Sequence, residues 1–312
     1  MKKNWIYPLV LIVLLLTSLS SCKKDASSSK KDPVITWTNP ADINYGISLS
    51  SAQLNAKADV DGTFVYTPSS GTMLNIGANQ DLKVDFTPSD AVNYNSVSKT
   101  VKINVMGIIF NPDLVYGTMT DQDGNEYKTI TIGTQIWMAE NLRTTKFNDG
   151  SDIPLVTDYV AWSSLTTPGY CWLNDDEANK VIYGAFYNFF TVNTGKLAPV
   201  GWHVATDAEW TALLYYEGGL DVAGGKLKEI GTTHWLSPNK GATNETGFTA
   251  LPAGERFENG YLTGLADISC WWSSTVNNSA EAWIFDLGYN YPGANRESAS
   301  KIQGFSVRCI KD

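Results

Sequence analysis

The chain has 312 residues, of which 43% are hydrophobic and 18% are charged, a globular composition with room for two domains. The formal net charge of -9 argues against a nucleic-acid partner, because such proteins owe much of their affinity to clustered basic residues. The 2 histidines argue against His-based catalysis and against a metal site built from several histidines.

Residues 1–21 are predicted to be a lipoprotein signal peptide. Lys2 and Lys3 give a positive start, and the apolar run at 5–16 is shorter than the roughly 20 residues that a membrane span needs. The segment ends in Leu-Ser-Ser-Cys, which resembles the bacterial lipobox, so Cys22 is the predicted lipidation site. We therefore expect export and attachment to a membrane through a lipid anchor.

A flexible linker is predicted over residues 22–32, which are rich in Lys, Ser and Asp and show no apolar period. Within it, Lys24-Asp25 resembles the short export signals of lipoproteins that some Gram-negative bacteria display on the cell surface. The predicted location is therefore the cell envelope, with the chain anchored by lipid to the outer membrane and exposed at the surface.

Residues 33–106 are predicted to form a small all-β module. Apolar and polar residues alternate at 82–86 and at 101–105, as in strands with one buried face, and turn residues separate the runs. This pattern resembles the bacterial immunoglobulin-like spacer modules and implies a β-sandwich. No polar cluster in the segment indicates chemistry, so we expect a spacer.

Residues 107–312 are predicted to form an α+β domain with few helices. Asp123-Gly124 between two extended runs predicts a hairpin turn. Thr206 and Glu209 have the spacing of a capping box, which predicts a helix over 206–216. Short strands and glycine-rich loops dominate the remainder.

Several short blocks of this domain carry a family resemblance. They are Asp-Gly-Asn-x-Tyr at 123–127, Trp-Met-Ala-Glu-Asn-Leu at 137–142, Tyr-Gly-Ala at 183–185, Gly-Trp-His-Val at 201–204, Asp-Ala-Glu-Trp at 207–210, Trp-Ser-Ser at 272–274 and Phe-Ser-Val-Arg-Cys at 305–309. In these blocks residues 118–312 resemble the Fibrobacter succinogenes major paralogous (FISUMP) domain. The resemblance implies an exported protein with a C-type-lectin-like fold, related to the formylglycine-generating enzymes.

The resemblance leaves the pairing of the cysteines open. Relatives carry further cysteines near the positions of Lys180 and Ala198, as partners for Cys171 and Cys309, but this chain has no thiol there. A Cys171–Cys309 disulfide and unpaired buried thiols are therefore both retained as alternatives.

Catalytic motifs are missing from the sequence. It has no Gly-x-Ser-x-Gly elbow, no His-Glu-x-x-His and no Walker loop. Cys270 and Cys309 are separated by 39 positions, so the close cysteine pair of the formylglycine-generating enzymes has no counterpart. His203 is predicted to be a structural imidazole bonded to the backbone. The protein is expected not to be an enzyme.

Two polar clusters are candidate ligand sites. The preferred one is the loop before the last strand, with Tyr289, Tyr291, Asn295 and Arg296. Tyrosine rings offer apolar faces to a sugar, and an arginine offers hydrogen-bond donors to acidic sugars or carboxylates. The second is the acidic turn that follows Trp172. Trp172 itself is a candidate for packing against a sugar ring. The oxygen-bearing residues of the turn suit calcium, with a solvated turn as the alternative: Asn174, Asp175, Asp176 and Glu177.

The predicted function is non-catalytic recognition or adhesion outside the cytoplasm, with a polysaccharide, glycoprotein or partner protein as the ligand. One alternative is a catalytic or accessory role in glycan or protein modification on the formylglycine-generating scaffold. Another is a structural surface protein without a specific ligand. No cofactor is predicted apart from calcium at the acidic turn.

Overall fold

The computed structural model describes residues 29–45 and 47–312. The predicted signal peptide, Cys22 and most of the predicted linker lie outside these residues. Within the described part of the chain, no helix combines the length and the apolar character needed to cross a membrane.

The N-terminal module is built from short strands around one sheet. Its strands are β1 (Ile35–Thr36), β2 (Ile43–Asn44), β3 (Lys57–Ala58), β4 (Gly62–Thr67), β5 (Gly77–Pro88) and β6 (Val97–Met106). Four of them form a sheet in the order β2-β6-β5-β4, and β1 pairs with β3. The alternation predicted at 82–86 is confirmed, because Leu82, Val84 and Phe86 are buried. These side chains enter one apolar core with Trp37.

The C-terminal part of the chain contains many short strands and few helices. The strands are β7 (Gly117–Thr120), β8 (Glu126–Ile132), β9 (Gln135–Met138), β10 (Tyr170–Trp172), β11 (Ala185–Asn188), β12 (Trp202–Val204), β13 (Glu255–Arg256), β14 (Leu262–Thr263), β15 (Ile268–Val276), β16 (Glu281–Gly288), β17 (Asn295–Ser300), β18 (Gly304–Phe305) and β19 (Cys309–Lys311). The helices are α1 (Tyr159–Ser163), α2 (Lys180–Tyr183), α3 (Phe189–Val192), α4 (Asp207–Tyr216) and α5 (Leu220–Leu227).

These strands form three sheets, in the orders β12-β19-β9-β8-β7, β10-β11-β18-β13-β14 and β15-β16-β17. Strand β15 separates two apolar cores because successive residues of a strand point to opposite sides. Trp271 packs into the core that contains Trp137 and Trp210. Trp272 packs into the core that contains Phe305. Both tryptophans are buried, so the sheet β15-β16-β17 packs against an apolar core on each of its two sides.

The predicted capped helix is confirmed as α4. The Thr206 side chain accepts a hydrogen bond from the Glu209 N–H, and the Glu209 carboxylate accepts one from the Thr206 N–H. Trp210, Leu213 and Leu214 form the buried stripe of this helix, as their spacing predicts.

The predicted fold class is wrong. The chain is mostly β, with 36% of its residues in strands and 13% in helices, and it is not an α+β C-type-lectin-like domain. Four of the five helices in the C-terminal part have fewer than ten residues, because the segments between strands consist largely of turns. The strand arrangement of the N-terminal module does not establish an immunoglobulin-like fold either.

Candidate functional site

The acidic side chains of the turn after Trp172 each contact another group of the protein. Asp175 accepts a hydrogen bond from Arg256 Nη1 at 2.7 Å, and Asp176 accepts one from the Ala178 N–H at 2.9 Å. Glu177 forms an ion pair with Lys180. No cluster of three or more His, Cys, Asp or Glu side chains suited to a metal ion occurs among the described residues. Asp175, Asp176 and Glu177 thus each have a partner within the protein, and a calcium site formed by Asn174, Asp175, Asp176 and Glu177 stays a prediction.

Trp172 is not a surface aromatic. Only 3% of the residue is exposed, and its ring packs edge-on against Tyr170 with the centroids 5.1 Å apart. A sugar ring cannot reach it, so the structure removes Trp172 from the candidate ligand residues. Its position at the end of β10, which is buried throughout, explains the difference from the sequence prediction.

Cys171, Cys270 and Cys309 are buried free thiols, so the alternative disulfide between Cys171 and Cys309 is not formed. Cys171 and Cys309 belong to different clusters of buried side chains, which keeps the sulfurs apart. Burial raises the pKa of the Cys171 thiol to about 12 and also raises the pKa of Cys270 and Cys309. All three therefore remain protonated at neutral pH and are poor nucleophiles.

Both ring nitrogens of His203 are engaged by carboxylates. Nδ1 lies 2.8 Å from Asp312 Oδ1 and Nε2 lies 2.8 Å from Glu209 Oε1. The structural role predicted for this imidazole holds, but its partners are side chains rather than backbone groups. With both nitrogens occupied, the ring is poorly placed to act as a general base.

Three of the family-like blocks, at 137–142, 183–185 and 305–309, meet in a buried hydrogen-bond network around Asn141. Its Oδ1 accepts hydrogen bonds from Trp271 Nε1 at 2.9 Å and from Arg308 Nε at 2.7 Å. Its Nδ2 donates to the Tyr183 carbonyl and to Ser306 Oγ. These residues come from distant parts of the sequence and lie in the interior, so these three blocks stabilise the fold.

The predicted ligand loop is held tightly against the domain. The buried Lys228 ammonium donates to the carbonyls of Lys240, Gly288 and Tyr291 at 2.8–3.0 Å. Tyr289 packs against the core that contains Trp210, and so its ring is partly withdrawn from solvent. The Tyr291 hydroxyl lies 3.5 Å from Asp221 Oδ1 in α5. The loop is therefore rigid, and its tyrosines are partly used in packing.

Asn295 faces a group of partly buried carboxylates. Its Nδ2 donates to Asp286 Oδ1 at 2.9 Å, and Glu297 lies on the same strand. Burial and the neighbouring charges of Asp286 and Glu297 raise the pKa of Glu255 to about 7. The amide of Asn295 thus has a partner within the protein, although the residue itself is exposed.

Arg296 is the predicted ligand residue that borders a groove. The groove lies between α4, the start of α5 and the strands β16 and β17, and has a volume of about 290 Å³. We call it the α4 groove, and its lining residues are Asp207, Thr211, Leu214, Tyr215, Leu220, Phe285 and Arg296. Leu214 and Phe285 are almost fully buried and form an apolar floor, whereas Tyr215 is 69% exposed at the edge.

The charge of Arg296 is balanced within the groove. Its Nε and Nη2 atoms donate to the two oxygens of Asp207 at 2.6 and 2.9 Å. The guanidinium carbon lies 3.5 Å from the centroid of the Trp283 ring, which fixes the plane of the group. Because the pair has no net charge, the arrangement does not favour the acidic sugars or carboxylates expected from Arg296 alone.

The α4 groove combines an apolar floor with fixed polar groups. Arg296 Nη1 and the Thr211 hydroxyl have no hydrogen-bond partner among the described residues, and both residues line this groove. Aromatic and aliphatic surface with a few oriented donors and acceptors is the chemistry of a binding pocket. The sequence held one signal for it: Tyr215 falls outside the buried stripe of α4 and must therefore be exposed.

Comparison with known proteins gives one finding. The family model of the Fibrobacter succinogenes major domain matches residues 130–311, which include α4, α5, the α4 groove and most of the Asn141 network. The comparisons with curated proteins and with solved structures give no match. Since the match covers more than half of the chain, the chain belongs to the Fibrobacter succinogenes major domain family.

Proposed function

We propose that this chain is an exported, lipid-anchored surface protein whose C-terminal domain recognises a neutral glycan in the α4 groove. Membership of a paralogous family of surface-associated domains is consistent with this role. The lipobox-like end of the signal peptide at Cys22 supports the anchor. The observation that carries the binding function is the groove itself, with its apolar floor and its internally neutralised ion pair.

The groove matches the two kinds of surface on a sugar ring. The C–H faces of a pyranose can pack against Tyr215 and the floor formed by Leu214 and Phe285. The ring hydroxyls can accept from Arg296 Nη1, donate to Asp207, and exchange hydrogen bonds with Thr211. A neutral ligand fits best, because Asp207 already compensates the guanidinium charge and the chain as a whole carries a net charge of -9.

A binding role agrees better with the side-chain chemistry than a catalytic one. The buried thiols are held protonated, and both nitrogens of His203 are occupied. The described residues therefore offer no thiolate or free imidazole beside the α4 groove to act as a nucleophile or base. These features favour a non-catalytic protein over modification chemistry on the formylglycine-generating scaffold.

Affinity electrophoresis of the full chain in detergent tests the proposal. Native gels cast with mannan, xylan or dextran supply neutral polysaccharide, and gels with polygalacturonate supply an acidic one. We expect retardation by at least one neutral polysaccharide and about tenfold weaker retention of Tyr215→Ala, since removing an aromatic ring that packs on a sugar costs about that much.

The matched control is Tyr216→Ala. Tyr216 is the next residue of α4 and is equally exposed, at 68%, but it lies over the β8–β9 turn beside Gly133. Its truncation is expected to leave retention unchanged. Equal retention of the two tyrosine variants, or the absence of retardation by every neutral polysaccharide, would show that the α4 groove is not a glycan site.

A further inference from the structure

We propose that the solvent-exposed part of the sheet β12-β19-β9-β8-β7 around Trp202 and Thr129 is a second saccharide subsite. The proposal takes its ligand class, a neutral glycan, from the proposed function, but it concerns a separate surface and different residues. It follows from the register of four strands and from a threonine hydroxyl that lines a cleft without a hydrogen-bond partner among the described residues.

Strand pairing places a continuous row of side chains across this face. Trp202 of β12 lies opposite Lys311 of β19, and Ile310 lies opposite Trp137 of β9, so Lys311 is next to Ile136. Ile136 in turn lies opposite Thr131 of β8. Residues that are directly opposite on paired strands project to the same side of a sheet. The indole, the ammonium, the isoleucine and the threonine therefore share one surface.

A cleft of about 270 Å³ opens along this row. We call it the threonine cleft, and it is lined by Val115, Gly117, Thr118, Thr129, Thr131, Ile136, Trp202 and Lys311. Trp202 is half-buried and also borders a second cleft of about 290 Å³ on its other side, next to Thr206 and Ser274. An indole that borders two clefts offers a platform for more than one sugar ring, which favours a polysaccharide over a monosaccharide.

The polar groups of the threonine cleft are unused by the protein. Thr129 is only 5% exposed, yet its hydroxyl has no hydrogen-bond partner among the described residues although it lines the cleft. Lys311 likewise has no ion-pair partner in the described part of the chain, and Thr118 and Thr131 are exposed. The Thr129 hydroxyl is open to the cleft, so a ligand hydroxyl that displaces water there can take up its free hydrogen-bonding capacity.

Gly117 keeps the hydroxyl of Thr129 accessible. A Cβ at this position would lie 2.7 Å from Thr129 Oγ1, so any side chain would close over it. Gly117 does not have a positive φ, and hence the backbone does not require glycine here. The glycine is thus explained by access to Thr129 rather than by backbone conformation.

These features fit a neutral saccharide. The ring face of a sugar packs on an aromatic plane, and its hydroxyls both donate and accept, as the threonine hydroxyls and the Trp202 Nε1–H require. Lys311 donates to hydroxyl oxygens as well as to anions. The net charge of -9 opposes the approach of a polyanion, which favours the neutral ligand.

The test uses the same affinity gels with full chains. Thr129→Val preserves the shape of the side chain and removes the hydroxyl, and Trp202→Ala removes the platform. We expect retention to fall about fivefold for Thr129→Val, as for one lost hydrogen bond, and about tenfold for Trp202→Ala. The thermal midpoint of Thr129→Val should be unchanged, because the hydroxyl makes no hydrogen bond to the described residues. Thr263→Val, at an exposed threonine of β14, is the matched control and should change neither quantity.

The outcomes separate the two proposals. If Thr129→Val and Trp202→Ala weaken retention while Tyr215→Ala does not, the subsite stands and the α4 groove is not the site. If Tyr215→Ala alone weakens retention, the subsite is overturned and the α4 groove stands. Retention of Thr129→Val equal to that of Thr263→Val also overturns the subsite. If no neutral polysaccharide retards the wild-type chain, both proposals fail together.

Discussion

Removing the side chain of Asn141 should destabilise the C-terminal domain strongly. Asn141 is 3% exposed and is the shared acceptor of Trp271 Nε1 and Arg308 Nε. In Asn141→Ala both donors lose this acceptor, and the Tyr183 carbonyl and Ser306 Oγ lose their donor. Arg308 keeps its bonds to the carbonyls of neighbouring segments but retains one buried N–H without a partner.

The magnitude follows from the number of groups left without partners. A buried donor deprived of its acceptor costs about 1–3 kcal/mol, and more when it carries charge. With one indole N–H and one guanidinium N–H affected, we expect Asn141→Ala to lower the free energy of unfolding by about 4 kcal/mol. That is a large part of the roughly 5–15 kcal/mol that stabilises an ordinary domain.

Urea unfolding followed by tryptophan fluorescence measures this loss. The control is Asn290→Ala, which truncates an exposed asparagine in the loop before β17 and should change the free energy of unfolding by less than about 0.5 kcal/mol. A loss below about 1 kcal/mol for Asn141→Ala would refute the reasoning. It would mean that the family-like blocks do not converge on a network that stabilises the fold.

Three further predictions concern pH, a helix cap and the anchor. The pKa of Glu255 is raised to about 7, so the native state holds this proton more tightly than the unfolded state does, and stability should fall as pH rises from about 4.5 to 7. In Glu255→Gln the thermal midpoint should depend less on pH across this window. An unaltered dependence of the midpoint on pH would contradict the assignment. Thr206→Ala removes the acceptor at the start of α4 and should cost about 1 kcal/mol in urea unfolding, whereas an unmoved midpoint would count against the cap. Cys22→Ser should release unacylated protein from the membrane fraction, and unchanged partition with no labelled acyl chain on the wild type would contradict the lipoprotein prediction.

Local patterns in the sequence predicted local structure well. The capping box at Thr206 and the alternation around Val84 each depend on residues close in sequence, and both are found in the structure. The fold class was not predictable in the same way, because it depends on how much of the chain between such elements becomes strand. Strand pairings such as that of Tyr187 with Phe305 join residues far apart in the sequence, and no local pattern predicts them.

The candidate site shows the same limit. Arg296 was identified from its loop, but its partner Asp207 comes from the start of α4, 89 positions away, and this pairing cancels the charge that suggested an acidic ligand. Trp172 and Asp175 look like ligand residues in the sequence because burial and the Arg256 contact are invisible there. The accessibility of the Thr129 hydroxyl likewise becomes apparent only when the structure places Gly117 beside it.

The most direct test of glycan recognition by the α4 groove is an NMR titration of the full chain in detergent, with threonine methyl groups labelled. The titrant is an oligosaccharide cut from the neutral polysaccharide that retards the protein most. We expect a saturable shift of the Thr211 methyl resonance whose midpoint moves to about tenfold higher oligosaccharide concentration in Tyr215→Ala, while the Thr263 methyl resonance does not move. A saturable titration in which Thr211 stays still would contradict the claim that the α4 groove binds the glycan.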